Sequence, residues 1–255
     1  GVLALPFLFG VVGCMVWATS NRSSSRYGAI LGGLAFTYYF LLDASFFGHL
    51  NYALAWCGFF LMLAPPVMHD GDRVPAWMII APRLLFAVLY FFAGVVKFYP
   101  EWLDGSVILI FMKNSDMPAA VFGWFSTQPV PSVLATAGAL FDLTIGPLLL
   151  WPKTRRFALI AAVGFHASNM LLVGIYLLPT CFIVLMVTVF CQPSTARRLL
   201  KWSDTPPEPA ALPADPPPLP ARAALAALLL FHLAMPLRPY IYPGDSRWTH
   251  EAQHF

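Results

Sequence analysis

The sequence predicts an all-α fold, a polytopic bundle of about eight transmembrane helices, and three observations carry that prediction. The 255 residues are 59% hydrophobic and only 11% charged, with mean hydropathy +0.70, whereas soluble chains carry about 25% charge. Apolar runs close to the ~20 residues needed to cross a bilayer recur along the chain. The lysines and arginines fall mostly in alternate connections between those runs, as the positive-inside rule requires.

The runs lie at about 1–19, 27–42, 50–66, 78–97, 132–151, 157–176, 178–192 and 221–236. The opening GVLALPFLFG lacks a basic n-region, so it reads as native membrane helix rather than a signal peptide, and the chain as a piece of a longer protein. Hydropathy is continuous from 157 to 192, and Pro179 is the expected break. The stretch 193–220, with PPEPAALPADPPPLP inside it, is a Pro-rich extended linker. The organisation expected is therefore a helical membrane domain over 1–192 that holds the site, a cytoplasmic linker over 193–220, and a last helix over 221–255 leading into an outward-facing region.

Placing the first connection (Arg22, Arg26) in the cytoplasm puts ten of the fifteen lysines and arginines on that side. The opposite side receives Lys113, Arg238 and Arg247. Lys97 and the 98–131 connection then face outward, to a periplasm or a lumen. That connection mixes apolar and aromatic residues with few charges, which suits an interfacial or re-entrant segment over a cavity as well as a loop packed on helix ends. The scattered cations suggest no nucleic-acid surface. Cys14, Cys57, Cys181 and Cys191 sit in apolar runs without metal-ligand spacing.

Polar residues inside the apolar runs are the candidate site. In RLLFAVLYFFAGVVKFYPEWLDG, Arg83 and Lys97 lie fourteen residues apart. On a continuous helix both would share one stripe with Tyr90, the charges about 21 Å apart. Each is either a functional group facing a polar interior or an interfacial anchor that snorkels. Asp142 lies in GALFDLTIGPLLL, and His166 and Asn169 share a helix face in VGFHASNMLLVGIY. Buried, Asp142 needs a partner, with Arg83, Lys97 and His166 as the candidates; the same groups could serve as helix-packing clamps. Asp43, His49, Asn51 and Tyr52 form a fourth group at the outer end of the second and third runs. No metal is expected, because His166 and Asn169 have no nearby Cys, His or Glu. An ammonium withdrawn from water gives up its proton more readily, so a lysine at an apolar mouth can be a general base or nucleophile. A carboxylate beside it, Asp142 or Glu101, would hold it charged.

The same stretch resembles vitamin K-dependent gamma-glutamyl carboxylases and their bacterial relatives, the HTTM-domain proteins. Arg83, Tyr90, Ala93, Gly94, Lys97, Glu101, Trp102 and Gly105 fall in that family's register without a gap. LLDASFFGHLNY, LFDLTIGPLLL, FHASNMLLVGIY and MPLRPYIYPGDSRWTHEAQHF are similar to further family segments in the same order, although His49 precedes Asn51 and aligns only with a gap.

The resemblance implies a lyase in which the lysine, as free amine, takes a proton from vitamin K hydroquinone. Oxygen then adds, the rearranged alkoxide removes a γ-proton from glutamate in a peptide or protein, and the carbanion captures carbon dioxide. It implies Lys97 as base, His49 as a second catalytic group, and Arg83, Tyr90, Trp102, Asp142, His166 and Asn169 as residues around quinone and substrate. The quinone would enter from membrane lipid, in a bacterial inner membrane or the endoplasmic reticulum. Two other readings stay open: a quinone-dependent oxidoreductase without glutamate carboxylation, and a non-enzymatic module binding lipid or a partner.

Overall fold

The structure, a computed structural model, describes residues 76–115, 117–174, 176–191 and 219–234, together with residue 195 and positions 27, 28, 30–32, 34, 35 and 38. These residues form helices and their connections, with no strand among them. The chain divides into two compact units, residues 1–82 with 205–255, and residues 83–204. Helix α1 (Ala76–Val95) runs across the boundary between them. In the second unit follow α2 (Pro100–Leu103), α3 (Ser106–Lys113), α4 (Ala119–Phe125), α5 (Val130–Leu150), α6 (Arg155–Val173) and α7 (Leu177–Phe190). Helix α8 (Leu219–Ala234) belongs to the first unit.

Helices α5 and α6 are each long and apolar enough to cross a membrane, which with the composition makes this a membrane protein. The described residues do not establish the expected total of about eight spans: the runs at 1–19 and 50–66 lie outside them, and 27–42 is described only at scattered helical positions. The linker expected over 193–220 also lies almost wholly outside them.

Each long helix of the second unit buries one narrow stripe. On α5 it is Pro131, Ala135, Ala139, Asp142, Ile145, Gly146 and Leu149. On α6 it is Ala158, Ala162 and His166, and on α7 Phe182, Met186 and Phe190. Spacings of three and four keep one face inward, and the alanines on α5 and α6 let backbones approach closely. The opposite faces carry exposed apolar residues, including Leu140, Phe157, Ile160 and Leu171. This is the inside-out distribution expected when lipid covers the outer surface.

Two corrections to the expectations from sequence arise here. The break between α6 and α7 falls at Gly174, not at Pro179. Gly174 ends α6 in the left-handed region, φ +70°, where a side chain is strained. Pro179 sits inside the first turn of α7, where a missing N–H costs nothing. Second, α1 stops at Val95, and Lys97 lies in a turn whose N–H donates to the Gly94 carbonyl at 3.1 Å. Arg83 and Lys97 are therefore not on one continuous helical stripe. The 98–131 connection, for which the sequence leaves both alternatives open, is largely helical. Helices α2 and α3 pack against α5, and α3 also reaches α6, so this segment is built onto the bundle.

Candidate functional site

Two glycines bring the polar groups together. Helices α1 and α5 run antiparallel and touch at Gly94 against Leu143 and at Gly146 against Ala87. A Cβ on Gly94 would stand 2.8 Å from the Leu143 backbone nitrogen, and one on Gly146 2.9 Å from the Ala87 Cα. Backbones this close leave no room for a side chain, so the crossing depends on both glycines. Because Leu143 adjoins Asp142 and Gly94 precedes Lys97 by three residues, the crossing sets the Lys97 side chain beside the Asp142 carboxylate.

Lys97 Nζ donates to Asp142 Oδ2, and the two form an ion pair. Asp142 is 3% exposed, whereas the Lys97 side chain keeps 19% of its surface accessible. The carboxylate is thus the buried partner and the ammonium opens to the surface. Nζ also lies 5.0 Å from the centre of the Trp102 ring, an arrangement that contributes about 0.5–2 kcal/mol as it loses water. Trp102 is fixed by its indole N–H, which donates to the Ala135 carbonyl on α5 at 3.0 Å. Gly105, at φ +86°, turns the chain so tightly onto Pro131 that a Cβ would lie 2.5 Å from it. The chain from Gly94 to Gly105 is thereby folded down around Asp142.

A second polar cluster lies one helical stretch away, among α1, α6 and α7. The Tyr90 hydroxyl is 2.6 Å from His166 Nε2 and 2.9 Å from Met186 Sδ. The hydroxyl has one proton. If His166 carries its proton on Nε2, it donates to Tyr90 and Tyr90 donates to the Met186 sulfur; in the other tautomer Tyr90 donates to His166 and the sulfur is a packing contact. The His166 ring stacks on Phe182 with centroids 5.5 Å apart, and Phe141 stacks on Phe165 at 4.1 Å. His166 is therefore held by aromatic walls and one hydrogen bond. Tyr90→Phe removes that bond and leaves a buried ring nitrogen unpaired. The expected loss is about 1–3 kcal/mol of stability, read as a lower thermal midpoint of the detergent-solubilised protein.

Of the residues singled out in the sequence, the structure joins Lys97, Asp142 and Trp102 in one cluster and Tyr90 and His166 in another. Asp142 takes Lys97 as its partner, neither Arg83 nor His166. Asn169 is half-buried and has no side-chain hydrogen bond among the described residues. Arg83 lies inside α1, about two turns after its start, where Nε donates to the Val189 carbonyl at 3.0 Å. His49, with Asp43, Asn51 and Tyr52, lies outside the described residues. The sequence reading passed over Met186 and Phe182. Their only signal was the four-residue spacing with Phe190, which marks a buried stripe without indicating chemistry. Among the described residues no group of three His, Cys, Asp or Glu gathers to hold a metal.

A family model described as the HTTM domain matches residues 6–194, a range that takes in both clusters. This domain is associated with vitamin K-dependent carboxylases. No solved structure matches the chain.

Proposed function

The chain belongs to the HTTM-domain family, and on that premise we propose that it is a membrane enzyme coupling oxygenation of vitamin K hydroquinone to carboxylation of glutamate in a peptide or protein. The observation that carries this reading is the Lys97–Asp142 pair, a buried carboxylate beneath a partly accessible amine in apolar surroundings.

A general base must have a vacant site for the proton it accepts. A lysine held as an ammonium cannot accept one. Paired with Asp142, it can pass a proton to the carboxylate and become a neutral amine beside a neutral acid. In a low dielectric that exchange removes two buried charges together, so closing the site against water favours the neutral pair. The amine is then available to take a proton from a hydroxyl of the hydroquinone, and Asp142 fixes its position.

These residues fit an aromatic diol. The Trp102 ring and the helix faces around Leu143 offer an apolar wall, and Lys97 offers a basic atom at its edge. Oxygen would oxidise the bound hydroquinone, and that oxygenation would supply the strong base that removes a glutamate γ-proton, so that the resulting carbanion captures carbon dioxide. The protein's share is to exclude water, orient the diol and hold the proton. His49, Tyr90 and His166 are proposed as further groups around this site. The membrane is proposed to be a bacterial inner membrane or the endoplasmic reticulum, with Lys97 facing away from the cytoplasm.

Mass spectrometry tests the carboxylation half. Membranes holding the full-length protein, supplied with hydroquinone, oxygen and isotopically labelled bicarbonate, should add labelled carbon dioxide to glutamate in a co-expressed substrate. Hydroquinone consumption without any labelled glutamate would instead favour the oxidoreductase reading.

A further inference from the structure

About two turns into α1, well away from Lys97, two arginines approach one another with no carboxylate paired to either among the described residues. Ala87 lies against Gly146, and one further turn along each antiparallel helix leads from there to Arg83 on α1 and to the Leu149–Leu150 end of α5. Arg155 folds back over that same end: its Nε donates to the Leu149 carbonyl and its Nη2 to the Leu150 carbonyl, each at 2.9 Å. Arg83 caps the neighbouring helix in the same way, through Val189 on the last turn of α7, with its guanidinium carbon 5.8 Å from the centre of the Phe190 ring. The two side chains are near enough for the charge of Arg155 to bear on Arg83.

Helix capping accounts for only part of this charge. A helix C-terminus carries about half a negative charge, so the ends of α5 and α7 together offset roughly one of the two positive charges. The connecting turn WPKTRRF adds exposed Lys153 and Arg156 and contains no acid. The carbonyls occupy both Nε groups and the Nη2 of Arg155. That leaves the Arg83 terminal nitrogens and the Arg155 Nη1 without a partner among the described residues, on two half-buried side chains. A planar fork of this kind matches a phosphate group.

We propose that Arg83 and Arg155 form a binding site for the phosphate headgroup of an anionic phospholipid. A lipid is favoured over a soluble anion by what surrounds the pair. Leu148 in the last turn of α5, Trp151 in the connecting turn and Phe157 in the first turn of α6 are exposed, 39%, 59% and 68% respectively. An acyl chain hanging from the bound headgroup would lie along that apolar surface. Basic pockets between membrane helices take anionic headgroups in this manner. The site is separate from the Lys97 cluster and does not depend on the function proposed above.

The test uses the purified full-length chain in a neutral detergent, with dioleoyl phosphatidylglycerol, dioleoyl phosphatidylcholine or inorganic phosphate added. Native mass spectrometry reads bound lipid, and the thermal midpoint is followed as each is titrated. Wild type should retain phosphatidylglycerol over phosphatidylcholine and gain midpoint with the former. Arg83→Gln combined with Arg155→Gln should weaken retention at least about tenfold and abolish that gain. Lys113→Gln, on the exposed end of α3, should keep both. The readout is the lipid-dependent increment, so a lower starting midpoint from lost capping leaves the test intact. Equal retention by the double variant, or equal retention of the two lipids by wild type, would overturn the site. Displacement of phosphatidylglycerol by millimolar phosphate would overturn its assignment to lipid.

Discussion

Replacing Asp142 by Leu should destabilise the protein by about 3–5 kcal/mol, the usual consequence of removing one partner from a buried ion pair. The Lys97 ammonium then loses its carboxylate and keeps, among the described residues, the Trp102 face. Lys97→Met combined with Asp142→Leu should recover most of the loss, because an apolar pair of similar volume needs no compensation there. Equilibrium unfolding of the two single variants and the double variant, treated as a double-mutant cycle, measures the coupling directly. Near-additive effects would mean that the pair is not formed. The same cycle separates stability from chemistry: the double variant should be folded and inactive, and a folded, inactive protein locates the defect in the reaction.

The second large effect is steric. Gly146→Ala should cost about 1–3 kcal/mol, since the new Cβ would meet the Ala87 backbone at 2.9 Å and its carbonyl oxygen at 3.0 Å. Neither neighbour is the flexible end of a side chain, so α1 and α5 must separate. Gly164→Ala makes the same chemical change in the interior of α6, where nothing lies within 4 Å of the added carbon. There the helix propensity of alanine should prevail, for a gain of up to about 1 kcal/mol. Opposite signs from one substitution type would tie the effect to the crossing. Thermal midpoints of the two variants in the same detergent are sufficient to read it. Moving α1 off α5 should also separate Lys97 from Asp142, so Gly146→Ala should lose activity along with stability.

Five of the expected apolar runs correspond within a few residues to α1, α5, α6, α7 and α8, because length and hydropathy are local properties. The break near Pro179 was misplaced because composition cannot tell a proline inside a first turn from one that ends a helix; the deciding fact is the left-handed backbone at Gly174. The polar residues were visible as oddities in apolar runs. Their buried placement also follows from sequence spacing: Asp142 continues the Ala135–Ala139 stripe, and His166 the Ala158–Ala162 stripe.

What spacing could not provide was the pairing. Asp142 had three plausible cationic or imidazole partners, and the choice of Lys97 follows from how close α1 and α5 come at Gly94, a contact between residues far apart in sequence. Tyr90 was placed on a stripe with Arg83 and Lys97, yet each of the three points to a different partner: Val189 for Arg83, His166 and Met186 for Tyr90, Asp142 for Lys97. The termination of α1 at Val95 turns Lys97 away from that stripe and toward α5. The family resemblance singles out the lysine stretch, and the crossing gives its Ala-Gly step a physical reason.

The most direct test of the account concerns Lys97 itself. Membranes carrying full-length wild type or Lys97→Ala would be given vitamin K hydroquinone and oxygen, and the epoxide quantified by chromatography. The account predicts epoxide from wild type and a loss of at least about a hundredfold in the variant, as removal of a general base entails. Epoxide formation by Lys97→Ala at the wild-type rate would contradict it.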